Sequence, residues 1–171
     1  GDDSILQDKT LRAKFREAFA WPLRVAFPCG FTPALNSGVV DKEWLLYMGI
    51  GAELFDDPEF RWALRRFAGP HYIPVAKNIA TTFPQMDELF AAALRRGGVE
   101  RPPAYTSLLL PQSGFAVLRD GWDPDSLGMV LDFGTPWGGH GYPGKLSFTL
   151  WGRDALLASL PGSPASYSLP V

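Results

Sequence analysis

The spacing of apolar residues changes once along this chain, from a helical period to a strand period. In the first hundred residues, apolar side chains recur every three or four positions, as Leu11, Phe15 and Phe19 do, and this spacing predicts amphipathic helices. Four helices are predicted, beginning after Ser4, after Asp41, at Asp57-Pro58 and at Pro84. Their predicted stops are Pro22 for the first, Gly69-Pro70 for the third and Gly97-Gly98 for the fourth.

After residue 103 the apolar runs become short and are bounded by glycine, proline, aspartate or serine, which is typical of strands. The predicted strands lie in "SLLLP", "GFAVLRD", "LGMVLDF", "KLSFTLW" and "ALLASL". No helical pattern separates them, so an antiparallel sheet is expected, forming one face of a sandwich. The chain is therefore predicted to be α+β, with a helical segment over residues 1–103 and a sheet segment over residues 104–171.

Composition and charge exclude several classes of protein. The 46% hydrophobic content favours a folded chain, and the formal net charge of −2 leaves no excess of basic residues to bind nucleic acid. Cys29 is the only cysteine, so no internal disulfide is expected. No apolar run is long enough for a membrane span, and the start, "GDDSILQDK", lacks the features of a signal peptide. Because residue 1 is glycine, we expect the sequence to be a fragment.

The two histidines are the first candidates for chemistry. His140 lies in the glycine-rich stretch "PWGGHGYPGKLSF", directly before a predicted strand, and His71 lies in "GPHYIP", after a helix stop. From residue type and setting alone, both are interpreted as loop or turn residues that bond to the backbone.

Three stretches resemble a known family: "SGFAVLRDGWDPDSLGMVLDFG", "GGHGYPGKLSF" and "GRDALLASLPGSPASY". They are similar to the start of the C-terminal sheet domain of the heparinase II/III-like family, which includes heparinase II, heparinase III and oligoalginate lyases. "PCGFTPALNS" resembles a segment of the family's helical part. The resemblance implies late helices of an (α/α) toroid followed by the opening strands of a β-sandwich, which is expected to be incomplete here.

The resemblance also implies roles for individual residues. His140 matches the first histidine of the family's sheet motif, and it would line the cleft, contact substrate or share in proton transfer. Tyr142 would act as a base, stack on a sugar or cover the sheet. Asn36 would face the cleft and bind substrate, or it would cap or turn the backbone, as asparagine in a Gly/Pro loop usually does. Arg119 and Trp122 match positions on the family's second strand, and a buried arginine beside a tryptophan is interpreted as structural.

The family's zinc ligands are not reproduced. Some members hold a structural zinc through a second histidine and nearby acidic residues, but Tyr142, Gly144 and Ser159 stand at or near those positions here. The expectation is that no zinc or other cofactor is bound. The family's catalytic tyrosine and carboxylate-neutralising asparagine belong to upstream toroid segments and are not assigned to this chain.

The resulting hypothesis is that the chain is part of a polysaccharide lyase that cleaves uronic-acid-containing polysaccharide by β-elimination. The expected partner is an acidic polysaccharide or oligosaccharide, and the expected location is periplasmic or secreted. Two alternatives stay open. The first is a non-catalytic carbohydrate-binding or structural module of the same fold, and the second is an incomplete fragment with no function of its own.

Overall fold

A computed structural model describes residues 7–33, 44–68, 91–93, 95–134, 146–153 and 155–158. In these ranges the helices are α1 (Lys9–Val25), α2 (Leu45–Phe55) and α3 (Pro58–Ala68), and residues 91–93 and 95 are also helical. The strands are β1 (Leu108–Leu110), β2 (Phe115–Arg119), β3 (Gly128–Asp132), β4 (Ser147–Gly152) and β5 (Ala155–Ala158). Helices come first and an antiparallel sheet follows, which confirms the predicted α+β class. No helix of the described ranges is long and apolar enough to cross a bilayer.

The chain forms two compact units. The first contains residues 1–24 and 43–103, and the second contains residues 25–42 and 104–171. The sheet unit thus includes a segment that precedes α2 in the sequence. The predicted division into segments 1–103 and 104–171 stays a prediction.

The N-terminal end of α1 is capped by an aspartate. The Asp8 carboxylate accepts the backbone N–H groups of Thr10 at 2.8 Å and Leu11 at 3.0 Å, which satisfies donors that have no partner inside the helix. Ser4, the predicted cap, lies outside the described residues.

The prediction that Pro22 ends the first helix is wrong. Pro22 lies inside α1, which continues to Val25. Proline lacks an N–H and costs a helix one backbone bond, but the residues after it still donate to earlier carbonyls. Leu23 and Val25 are almost fully buried, at 0% and 2% exposure, and burying these side chains offsets the lost bond.

The start of α3 is as the sequence predicts. Asp57 precedes Pro58, and its carboxylate accepts the N–H groups of Glu59 at 2.8 Å and Phe60 at 3.3 Å. Phe60 is fully buried against the other helices of this unit. The helical core consists of large apolar side chains that are 2% exposed or less, namely Leu45, Leu46, Met48, Phe60 and Leu64.

Arg61 joins α3 to the residues on either side of it. Its guanidinium donates to the carboxylate of Asp56 at 2.7 Å and to the carbonyl of Val99 at 3.1 Å. A Cβ at Gly98 would lie 2.7 Å from Arg61 Nε, so this side chain needs the glycine beside it. The hydrogen bond and charge of Arg61 lower the pKa of Asp56 below its ordinary value of 3.8.

The five strands form one antiparallel sheet in the order β1-β2-β3-β4-β5, each paired with the next in the chain. Val117 of β2 pairs with Val130 of β3, and Val130 pairs with Thr149 of β4, so the centre of the sheet is buried on one side. All five predicted strands are confirmed, because the alternation and the turn residues that bound it are both local signals.

Residues 25–33 cover the buried side of the sheet. Phe27 stacks on Trp151 with ring centroids 6.1 Å apart, and Phe31 packs against the same indole at 5.5 Å. A Cβ at Gly128 would lie only 2.7 Å from Cδ of Pro28, so the chain passes too close to β3 for any side chain there. This segment therefore supplies the core of the sheet unit.

The other side of the sheet is apolar and largely uncovered. Two rows run across the strands on this face, and their members are Leu109, Ala116, Leu131 and Phe148 in one row and Leu118, Met129 and Leu150 in the other. Leu109 is 66% exposed, Leu118 49% and Phe148 46%. Exposed apolar patches of this kind mark association surfaces. A second sheet over this face, as in a sandwich, stays a prediction.

We expect this face to make the chain self-associate as its concentration rises. Replacing Leu109 and Phe148 together by threonine, which keeps strand propensity, should shift the protein towards monomer, because the replaced apolar area no longer gains from burial. Sedimentation velocity over a concentration series measures the effect. Val99→Thr is the control, since Val99 is 73% exposed but lies in the helical unit. Equal association of the double variant and the control would contradict the expectation.

Candidate functional site

The residues predicted to act on substrate lie outside the described residues. This applies to His140, Tyr142 and Asn36, and also to Gly144 and Ser159, the positions considered for zinc. The roles given to them by the resemblance stay predictions. The structure does describe both ends of the connection that carries His140 and Tyr142, which runs from β3 to β4.

Asp132, the last residue of β3, holds both ends of this connection. Its carboxylate accepts the N–H of Gly134 at 2.9 Å, and its backbone carbonyl accepts the N–H of Leu146 at 2.7 Å. Asp132 also pairs with Ser147 in the sheet register. Leu146 has a φ of 63°, a conformation that non-glycine residues adopt rarely, so the chain turns sharply as it enters β4. The connection therefore leaves and re-enters the sheet at one point.

The turn from β1 to β2 lies at the same end of the sheet. Phe133 donates its N–H to the carbonyl of Gly114 at 2.8 Å. Gly114 has a φ of 74°, and a Cβ there would collide with the backbone of Gly134. Gly114 and Gly134 thus let the β1–β2 turn and the start of the β3–β4 connection approach closely. This contact fixes the point at which the connection that carries His140 leaves the sheet.

Arg119 lies at the opposite end of β2 and is 5% exposed. Its Nε donates to the carbonyl of Ala26 at 2.7 Å, and its Nη1 donates to the carbonyl of Thr106 at 2.7 Å. Its Cζ lies 4.3 Å from the centroid of the Trp122 ring, which is a close cation–π contact. The predicted packing of a buried Arg119 beside Trp122 is confirmed, whereas its structural role stays a prediction.

Burial lowers the pKa of Arg119 but leaves the group charged at neutral pH. Desolvation lowers the pKa of the guanidinium to about 10, and the electrostatic interaction with Tyr105 opposes this shift. The group still carries a proton at neutral pH, so it acts as a fixed cation bonded to carbonyl oxygens rather than as an acid or a base. Trp122 is fixed in turn, since its Nε1–H donates to the carbonyl of Tyr105 at 3.0 Å.

A shallow cavity of about 260 Å³ lies over the Arg119 end of the sheet. It is lined by Ser107, Leu118, Arg119, Asp120, Leu127, Gly128, Met129 and Leu150. Ser107 and Asp120 already bond to the backbone of neighbouring strands, because the Ser107 hydroxyl accepts the N–H of Arg119 and the Asp120 carboxylate accepts that of Leu127. The lining is mainly apolar and contains no acid–base pair, so this cavity is not a candidate catalytic centre.

No cluster of three or more histidine, cysteine, aspartate or glutamate side chains suited to a metal ion occurs in the part of the chain that the structure describes. The expectation of no zinc concerns Tyr142 and Ser159, which lie beyond that part, so it stays a prediction.

Comparison with known proteins identifies the fold. No family model and no curated protein matches the sequence. Solved structures do match. A heparinase III gene product superposes with a TM-score of 0.62 at 18% identity, over 91% of this chain and 20% of that chain. A heparan sulfate lyase from Pedobacter heparinus gives a TM-score of 0.62 at 16% identity, over 90% of this chain and 20% of that one.

A further structure, described as heparinase III, gives a TM-score of 0.65 at 17% identity and covers 90% of this chain. The present chain spans about a fifth of the length of each of these structures. The resemblance seen in the sequence is thus confirmed at the level of fold, because the chain folds like a segment of the heparinase III structures.

Two features of the structure were not predicted from the sequence. One is the contact of Arg119 with Ala26, because residues 93 positions apart give no periodic signal. The other is a cavity beside α1 lined by Lys9, Arg12 and Arg16. Their spacing of three and four residues was a usable signal, since it places three cations on one helix face.

We expect Arg119→Lys to lower the free energy of unfolding by about 2–4 kcal/mol. Lysine lacks the planar guanidinium that bonds to both carbonyls and packs on the Trp122 indole. Chemical denaturation followed by tryptophan fluorescence measures the change. Arg153→Lys is the matched control, since Arg153 is exposed in the same unit. If the two variants are equally stable, Arg119 does not have this structural role.

Proposed function

We propose that this chain is part of a polysaccharide lyase that cleaves uronic-acid-containing polysaccharide by β-elimination. The observation that carries the proposal is its fold likeness, over about nine tenths of its length, to structures described as heparinase III and heparan sulfate lyase. Strands β3 and β4 of this chain lie on either side of the glycine-rich His140 connection. At these identities the fold is shared, and the activity is our inference.

The chemistry of such a reaction defines what the chain has to supply. A base removes the proton on the carbon beside the sugar carboxylate, and the electron pair of that bond forms a carbon–carbon double bond. The bond to the glycosidic oxygen breaks, and an acid protonates the leaving oxygen. The carboxylate must be neutralised so that the proton becomes acidic enough to remove.

His140 is the residue of this chain proposed to contact the substrate and share in proton transfer. Histidine is the side chain that most often gives or takes a proton in enzyme reactions. Both ends of its connection, Gly134 and Leu146, bond to Asp132. Tyr142, two residues further on, is proposed as a second contact with the sugar, and Asn36 as a polar group for binding it.

The proposal extends to partner and location. The substrate is an acidic polysaccharide or oligosaccharide, and a polymer of that kind outside the cell places the protein in the periplasm or among secreted proteins. No step of the proposed reaction uses a metal, because Tyr142 and Ser159 stand where the family's further ligands would be.

The test is an assay of the full gene product that carries this sequence. We expect it to release unsaturated uronate, detected by ultraviolet absorbance, from at least one of alginate, heparan sulfate and related polymers. His140→Ala should lower kcat/KM by roughly a hundredfold or more, because the variant loses a group that moves a proton in the transition state. Its thermal unfolding should stay close to that of the unchanged protein.

His71→Ala is the matched control, since His71 is the other histidine and is assigned to a turn. Full activity of the His140 variant, or loss of activity in the His71 variant alone, would contradict the role given to His140. Absence of product from every uronan would contradict lyase activity. Sugar binding without turnover would instead support the alternative, a carbohydrate-binding module of the same fold.

A further inference from the structure

A second cavity, of about 290 Å³, lies wholly within the helical unit. One wall is the first half of α1, which contributes Lys9, Arg12 and Arg16, and the other is the end of α2 with the residue that caps α3. The volume is at the lower end of the range for small-molecule sites, so it fits one sugar unit or its acidic group. Nothing proposed above for His140 uses this cavity.

The charge that the cavity offers to a ligand depends on which of its ionised side chains already form ion pairs within the protein. Arg16 donates from Nε to the carboxylate of Asp57 at 2.6 Å, and its terminal nitrogens lie near Glu17 and Glu59. The same Asp57 carboxylate caps α3 and is 6% exposed, so both of its oxygens are engaged. Arg16 and Asp57 therefore neutralise each other and form the floor of the cavity.

The other two cations of the cavity, Lys9 and Arg12, differ from Arg16 in their pairing. Within the described part of the chain, no carboxylate lies within ion-pair distance of either side chain. The Arg12 guanidinium carbon lies 5.5 Å from the centroid of the Phe55 ring, which gives the group a fixed support without neutralising its charge. The cavity thus has two cationic groups left over after its internal ion pair is counted.

The support under Arg12 is itself held in place. The ring of Phe55 makes edge contacts with Phe19 at 5.6 Å and with Phe60 at 6.3 Å, measured between ring centroids. Phe60 is fully buried, so this aromatic group is continuous with the helical core. A guanidinium that rests on a rigid ring loses less freedom when it binds a ligand than one on a mobile surface chain.

We propose that Lys9 and Arg12 form a binding site for the acidic group, carboxylate or sulfate, of a sugar unit in an acidic oligosaccharide. A guanidinium presents two parallel N–H donors that match the two oxygens of either group, and a nearby ammonium adds a point charge. The ligand class rests on the proposed function, whereas the location of the site rests on the geometry of the cavity.

The experiment is isothermal titration calorimetry of the full chain in a His140→Ala background, so that cleavage does not consume the ligand. The probes are a polyuronate tetrasaccharide, which carries only carboxylates, and a heparan sulfate tetrasaccharide, which also carries sulfates. Arg12→Gln should weaken binding roughly tenfold, and Lys9→Gln should weaken it by a smaller factor. A preference for the second probe would identify sulfate as the group bound, and equal affinities would identify carboxylate.

Lys14→Gln is the matched control, because Lys14 is exposed on the same helix, carries the same charge and does not line the cavity. Equal weakening by Lys14→Gln and Arg12→Gln would show general charge attraction and overturn the site, as would no binding of either probe. The experiment distinguishes failure of this binding site from failure of the proposed lyase function. Binding that depends on Arg12 in a protein without lyase activity refutes only the lyase, and an active lyase whose binding ignores Arg12 refutes only the site.

Discussion

The sheet unit depends on one buried cation. Arg119, which is part of β2, bonds to the carbonyl of Ala26, before the sheet in sequence, and to that of Thr106, just before β1. Removing a guanidinium from water is costly, and the cost is offset here only because the carbonyls and the Trp122 ring are all in place. The arrangement is therefore cooperative, since each partner stabilises the charge that holds the others.

The position of Arg119 explains why the two ends of the sheet differ. Arg119 fixes one end of β2, and residues 25–33 then lie across the buried face, where Phe27 and Phe31 pack on Trp151. The other end is free to carry turns, and there Asp132 and the close pair Gly114 and Gly134 hold the base of the His140 connection.

Local signals predicted most of the fold. The five strands follow from alternation bounded by turn residues, and the start of α3 follows from Asp57-Pro58. Pro22 shows where local reasoning fails, because burial of Leu23 and Val25 outweighs the bond that proline removes. The attachment of residues 25–33 to the sheet could not be predicted, since Ala26 and Arg119 meet only in the folded chain. For the candidate site, the sequence and its resemblance supplied His140, whereas only the structure shows which cations of α1 form ion pairs within the described residues.

The most direct test of this account is amide hydrogen exchange, measured by NMR, in the unchanged protein and in Arg119→Lys. The N–H of Phe27 bonds to the carbonyl of Phe31, and the N–H of Gly30 bonds to that of Phe27, so both report on the segment that Arg119 holds. The account predicts that these two amides lose protection by tenfold or more, while amides of α3, in the other unit, keep theirs. Unchanged protection at Phe27 and Gly30, or an equal loss in both units, would contradict the claim that this buried arginine organises the sheet unit.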